Sequence, residues 1–126
     1  MAGNEIDLEK LTRDYIDVFQ SRDLEACMAY FLEESTINWQ IGVYKGLRDI
    51  LEWHKDRFKA DLRIVQIDAL GVENGQVVLD GIVTSEVLKA WRLKSLAGRV
   101  KVGFENARIR EMSFSVRISN PLEQWS

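Results

Sequence analysis

The hydrophobic pattern of this chain changes period partway along, and that change limits what it can fold into. Up to Phe58 most apolar side chains recur at three- and four-residue spacing, the signature of helices with one buried face. From Leu62 onward they alternate, as they do in strands buried on one side. Helical pattern first and strand pattern second predicts an α+β layout built around one core. The 126 residues suit a single domain, 1–126, with a core over 8–118 and a C-terminal tail over 119–126 that Pro121 introduces.

Leu8, Leu11, Tyr15, Val18 and Phe19 make the first helical stripe. "SRD" interrupts it, with Ser21 or Asp23 as the next N-cap. Leu24, Cys27, Met28 and Phe31 repeat the stripe on a second helix. Thr36 to Val43 reads as one short strand with Ile37, Trp39 and Ile41 on one side, and Gly42 and Gly46 bracket the turn out of it. A third helix follows, striped by Leu47, Ile50, Leu51, His54 and Phe58, with Trp53 beside the stripe.

In the second half, Leu62 to Val72 alternates and "ENG" at Glu73 to Gly75 predicts a tight hairpin, because both central residues need positive φ. Gln76 to Leu88 reads as a long strand with a bulge or bend at Gly81. "LAGR" at Leu96 to Arg99 reads as a turn and "ENAR" as a weaker one. Val100, Val102 and Phe104 alternate before it, and Met112, Phe114, Val116 and Ile118 after it. Long strands bent at glycines curl, and helices laid in the hollow leave room for a ligand pocket.

Composition removes several function classes. Hydrophobic residues are 46% and charged residues 29%, and the net charge of −3 gives no electrostatic reason to expect nucleic acid or an anionic membrane. No apolar run approaches the roughly 18 residues of a spanning helix. The polar N-terminus lacks a secretory pattern and Cys27 has no partner for a disulfide, so the cytoplasm is the expected compartment. One histidine and one cysteine fall short of the four N/S ligands of a structural zinc site, and no calcium-loop spacing occurs. No cofactor is expected.

Taken in order, "DYIDVFQSRDLEACMAYFLEESTINW", "YKGLRDILEWHKDRF", "LAGRVKVGF" and "ARIREMSF" resemble the nuclear transport factor 2-like superfamily, with its SnoaL-like cyclases and ketosteroid isomerases. The resemblance implies a cone-shaped cystatin-like roll: three N-terminal helices packed in a curved antiparallel sheet of mixed order. It also implies a homodimer through the exposed sheet face. The superfamily holds isomerases, cyclases, dehydratases and non-catalytic carriers, so the fold does not select among them.

Carried over residue by residue, the resemblance matches Tyr15, eight residues before Asp23, to a tyrosine that donates to the substrate oxyanion. His54 stands where a supporting tyrosine would be. The general base of the isomerases falls on Trp39, which cannot accept a proton. The protonated acid of a late strand falls near Lys101 or Val102, which cannot replace it. The expectation is therefore a pocket for a small apolar or aromatic molecule. Tyr15 and His54 are the candidate catalytic pair, and Phe19, Trp39 and Phe58 are candidate binding residues.

Two readings stay open for His54: an acid or base working near neutrality, or a core histidine satisfied by one hydrogen bond to Tyr15. Asp80, Thr84 and Glu86 share one face of the long strand, either toward the cone or on the solvated or dimer-facing side. "RLK" and "RIR" read as solvated strand ends. Trp91 and Trp125 read as packing or subunit-contact residues, and Cys27 as a small buried hydrophobe. A non-catalytic homodimeric interaction or carrier module, or a shell inactivated when a carboxylate became Trp39, are the alternatives to an enzyme.

Overall fold

Among the described residues, three side-chain caps and two tight hairpin turns punctuate the chain. The computed structural model describes residues 7–39 and 42–116. Ile41, Arg117, Ile118, the Pro121 tail and Trp125 lie outside the described residues. Helix α1 spans Leu8–Gln20, and the Asp7 side chain accepts from Lys10 N. Helix α2, Leu24–Met28, is capped by Asp23, which accepts from Ala26 N. Strands β1 (Phe31–Trp39) and β2 (Gly42–Lys45) lead into helix α3, Gly46–Lys59. Strands β3 (Arg63–Glu73) and β4 (Gln76–Thr84) flank the "ENG" turn, where Asn74 and Gly75 both take positive φ, as a tight hairpin requires. Helix α4 (Glu86–Ala90) precedes β5 (Leu96–Glu105) and β6 (Arg108–Val116), which are joined through Asn106 and Ala107, also at positive φ.

The six strands form one sheet in the order β2-β1-β6-β5-β4-β3. Every pairing is antiparallel except β1 with β6, which is parallel, so the sheet is mixed. The core gathers Tyr15 and Phe19 from α1, Cys27 from α2, Ile50 and Trp53 from α3, and Phe31, Ile37, Val77, Val102, Ile109 and Met112 from the sheet. This is the expected α+β roll.

Several boundaries differ from the sequence reading, each for a reason of pairing. Thr36 to Val43 is not one strand but most of a hairpin, with Thr36 opposite Lys45 and Trp39 opposite Gly42. Phe31 does not extend α2; it opens β1, since Tyr30 O already accepts from Ile109 N of β6 at 2.6 Å. The strand from Gln76 ends at Thr84, because Ser85 caps α4 by accepting from Leu88 N and buries Leu88. Glu86 therefore lies on a helix and is exposed. "LAGR" is not a turn but the start of β5, with Gly98 opposite Gly81 on one side and Val116 on the other. The reversal comes earlier, where Arg92 takes a φ of 63°.

Curvature concentrates at β3 and β4. The β3 register shifts twice, between Ile64 and Gln66 and between Ile67 and Ala69. Each shift re-phases the strand, which is why half-buried Ile64, Ile67 and Leu70 fall three apart instead of two. Gly81 sits opposite these shifts, and a Cβ there would lie 2.7 Å from Gln66 O. Gly81→Ala should therefore cost about 1–3 kcal/mol of stability, the range for overpacked sites. Urea denaturation reads it directly, and an unchanged midpoint would mean that the backbone at Gln66 yields freely.

Candidate functional site

The curl of the sheet leaves a cavity of about 140 Å³ between its inner face and the helices. Helix α1 supplies Tyr15, Ile16 and Phe19, and α3 supplies Trp53. Trp39 ends β1 and reaches the same space. The sheet contributes Leu79, Gly81 and Val83 from β4, Gly98 and Val100 from β5, and Phe114 from β6. The two paired glycines place no side chain in the hollow, so they widen it where the sheet bends. The lining includes no carboxylate and no imidazole among the described residues.

Three of the five candidate residues meet at this lining: Tyr15, Phe19 and Trp39. His54 and Phe58 stand one layer back. Phe58 packs against Phe19 at 5.1 Å between ring centres, with the Arg22 guanidinium 5.3 Å from its ring. His54 is 0% exposed and ringed by Phe31, Trp53 and Phe19.

Hydrogen bonding assigns the His54 tautomer. Nδ1 lies 2.8 Å from Ile50 O, and a carbonyl can only accept, so Nδ1 carries the proton. Nε2 is then a lone pair, and the Tyr15 hydroxyl donates to it at 2.6 Å. Burial pushes the imidazole down to about 4, against a smaller opposing effect of the Ile50 hydrogen bond. Burial also holds the Tyr15 phenol well above its ordinary value. The pair is neutral at pH 7, and its shared proton is already engaged. Cys27 is buried, and its thiol is pushed up to about 12, chiefly by desolvation.

Trp39 packs edge-on against Phe114 at 4.8 Å and against Trp53 at 5.7 Å. The Arg57 guanidinium lies 4.8 Å from the Trp39 ring centre, within cation–π reach. Asp80 is not at the lining; it pairs with Arg99, its cross-strand neighbour, at 2.7 Å. Trp91 is 69% exposed and Glu86 is solvated. The sequence reading missed Arg57 and the widening role of Gly98. Arg57 follows Trp53 by four residues, a spacing that puts both on one side of α3.

No helix of the described residues is long and apolar enough to cross a membrane. Among the described residues no three His, Cys, Asp or Glu side chains gather as a metal site.

This sheet and these helices form a cystatin-like roll, the fold of solved structures that match this chain. Neither a protein-family model nor a curated protein matches the sequence. Solved structures do match the fold. SalBIII, an epoxide hydrolase/cyclase-like enzyme of pyran ring formation in the polyether salinomycin, superposes with a TM-score of 0.75 at 16% identity, over 86% of this chain and 89% of that one. A candidate polyketide cyclase from Sinorhizobium meliloti gives 0.74 at 13% identity, over 84% and 94%. An NTF2-like protein of unknown function from Cytophaga hutchinsonii gives 0.72 at 16% identity, over 98% of both chains.

The His54 assignment has a pH consequence. The folded value of about 4 lies below the ordinary 6.5, so between the two the unfolded chain binds a proton that the folded chain refuses. Stability from this group is full above pH 6.5 and should fall by about 3 kcal/mol as pH drops toward 4. The His54 ring should show no NMR titration between pH 5 and 8, and a midpoint within that window would reject the assignment.

Proposed function

We propose that this chain binds a small, largely apolar molecule in the cavity, and that the Tyr15–His54 pair sets the polarity of one wall. The observation that carries the reading is the cavity itself. Its volume of about 140 Å³ is close to that of apolar cavities near 150 Å³ that stay dry and take up benzene. Aromatic and aliphatic side chains dominate its walls, as they do in ligand pockets. Cyclase and epoxide hydrolase/cyclase-like proteins on the same fold support a ligand-handling role.

Within this reading His54 is a positioning residue. It fixes the Tyr15 hydroxyl by accepting its hydrogen bond at Nε2 and touches no ligand itself. A cofactor-free isomerase, cyclase or dehydratase working here would have to break the Tyr15–His54 bond first, because the hydroxyl's one proton is engaged there, and only then turn that hydroxyl to a substrate oxygen. For such an enzyme Tyr15→Phe and His54→Ala would each lower turnover by roughly 10²–10⁴-fold. A lining whose described residues include no carboxylate and no imidazole suits the second reading, a non-catalytic carrier that shelters its ligand from water. In either case the resemblance supports pairing of two copies through the outer sheet face, which carries the Asp80–Arg99 pair and the Asn38–Ser113 hydrogen bond. Sedimentation should give a dimer, and a monomer at all concentrations would remove that part.

The test of binding is thermal protection. Ethylbenzene, a neutral single-ring probe, should raise the melting temperature of the parent protein, since a ligand that binds only the folded state stabilises it. Val100→Phe places a ring into the cavity and should abolish the shift. Absence of any shift in the parent protein would reject the cavity as a binding site.

A further inference from the structure

Gly98 is a glycine that the backbone does not require. A glycine inside a strand weakens it, and marks a bulge, the close approach of another backbone, or the close approach of a ligand. Gly81 has the second reason, since Gln66 O occupies the place of its Cβ. Gly98 has neither of the first two. Its φ is not positive, and its pairing runs in register with both neighbouring strands. A Cβ built on it would meet only Ser115 O, at an ordinary 3.4 Å. An alanine would therefore fit the strand. What the missing side chain leaves open is part of the cavity of about 140 Å³ that Gly98 lines.

The inner face of the sheet shows the shape of that opening. On β4, Leu79 and Val83 line the cavity with Gly81 between them, and on β5 Leu96 and Val100 line it with Gly98 between them. Residues four apart in a strand are separated by about 13 Å. Gly81 and Gly98 are direct cross-strand neighbours, so their bare backbones join into one floor framed by four side chains. On the other side the helices line the cavity with the rings of Tyr15, Phe19 and Trp53. Backbone on one side and rings on the other make a slot. A flat occupant lying face-on touches both walls, whereas a puckered one holds them apart. The one charged residue at the described lining, Arg99, is engaged by Asp80 at 2.7 Å, so the lining suits a neutral ligand.

We infer that the cavity takes a flat, neutral ring lying face-on to the Gly81–Gly98 floor, and that Gly98 sets the depth of this site and with it the selectivity. This rests on the reading of the cavity as a binding site and names the shape class of its ligand. A methyl group at residue 98 lifts the ring off the floor, and an isopropyl group takes the place of the ring.

Toluene and methylcyclohexane, one carbon skeleton flat and puckered, form the test, read by calorimetry beside urea denaturation. The parent protein should bind toluene at least threefold more tightly, although methylcyclohexane is the more hydrophobic. Gly98→Ala should keep the parent's urea midpoint or exceed it, because alanine restricts the unfolded chain without straining the strand. It should also weaken toluene at least threefold, and Gly98→Val should weaken it at least tenfold. A merely structural glycine would instead lower the midpoint and leave the affinity of the folded protein alone. A Gly98→Ala midpoint below the parent's, toluene losses under threefold in both variants, or a parent preference under threefold overturns this inference and leaves the cavity standing. If Gly98→Val does not fold, Gly98→Ala carries the test alone. Binding of neither ring by the parent protein overturns both readings.

Discussion

The bend of the sheet at Gly81 is the constraint on which the rest depends. Gln66 O lies where a Cβ of residue 81 would be, 2.7 Å away, so β3 and β4 approach this closely only because residue 81 has no side chain. Gly98 is its cross-strand neighbour on β5. Two register shifts in β3 add local twist beside them. The sheet therefore curls along a line of small residues, and the helices span the hollow that results. The same two glycines leave the floor of that hollow without side chains, so curvature and empty volume have one cause.

The polar groups buried around this hollow fall into two sets with opposite accounts. Ile50 O, His54 and Tyr15 form a chain in which each donor has an acceptor. Such a chain is stable in an apolar wall because it is neutral and complete. Completeness also limits it: an imidazole held near 4 and a phenol held above its usual value have no proton to exchange at neutral pH without breaking the bond between them. The second set, Trp53 Nε1 and Arg57 Nη1, is buried without a hydrogen-bond partner among the described residues. The guanidinium rests instead against the Trp39 and Trp53 rings, 4.8 Å and 5.7 Å from their centres.

Local pattern carried much of the fold and less of the site. The helical stripes of α1 and α3, the Asp23 cap, and the turns at Asn74–Gly75 and Asn106–Ala107 were legible because neighbours in sequence determine them. The β1–β2 hairpin, the start of β5 at Leu96 and the parallel β1–β6 pairing depend on partners far along the chain, which local alternation does not encode. The site shows the same division. Periodicity identified Tyr15, Phe19, Trp39, His54 and Phe58 as inward-facing, yet it does not separate side chains that reach the cavity from those a layer behind. His54 and Phe58 point inward and are covered by other rings, Phe19 among them. Arg57 was missed because a charged residue beside an apolar stripe is ordinarily a solvated one.

Trp39 links these accounts. The resemblance puts a carboxylate base at this position, and here the Arg57 guanidinium lies 4.8 Å from the ring that replaces it. An indole cannot accept a proton, so this position does not supply that base. The ring is held from two sides, edge-on by Phe114 and Trp53 and over its face by the guanidinium. A position that the resemblance gives to proton transfer is here a packed wall of the hollow.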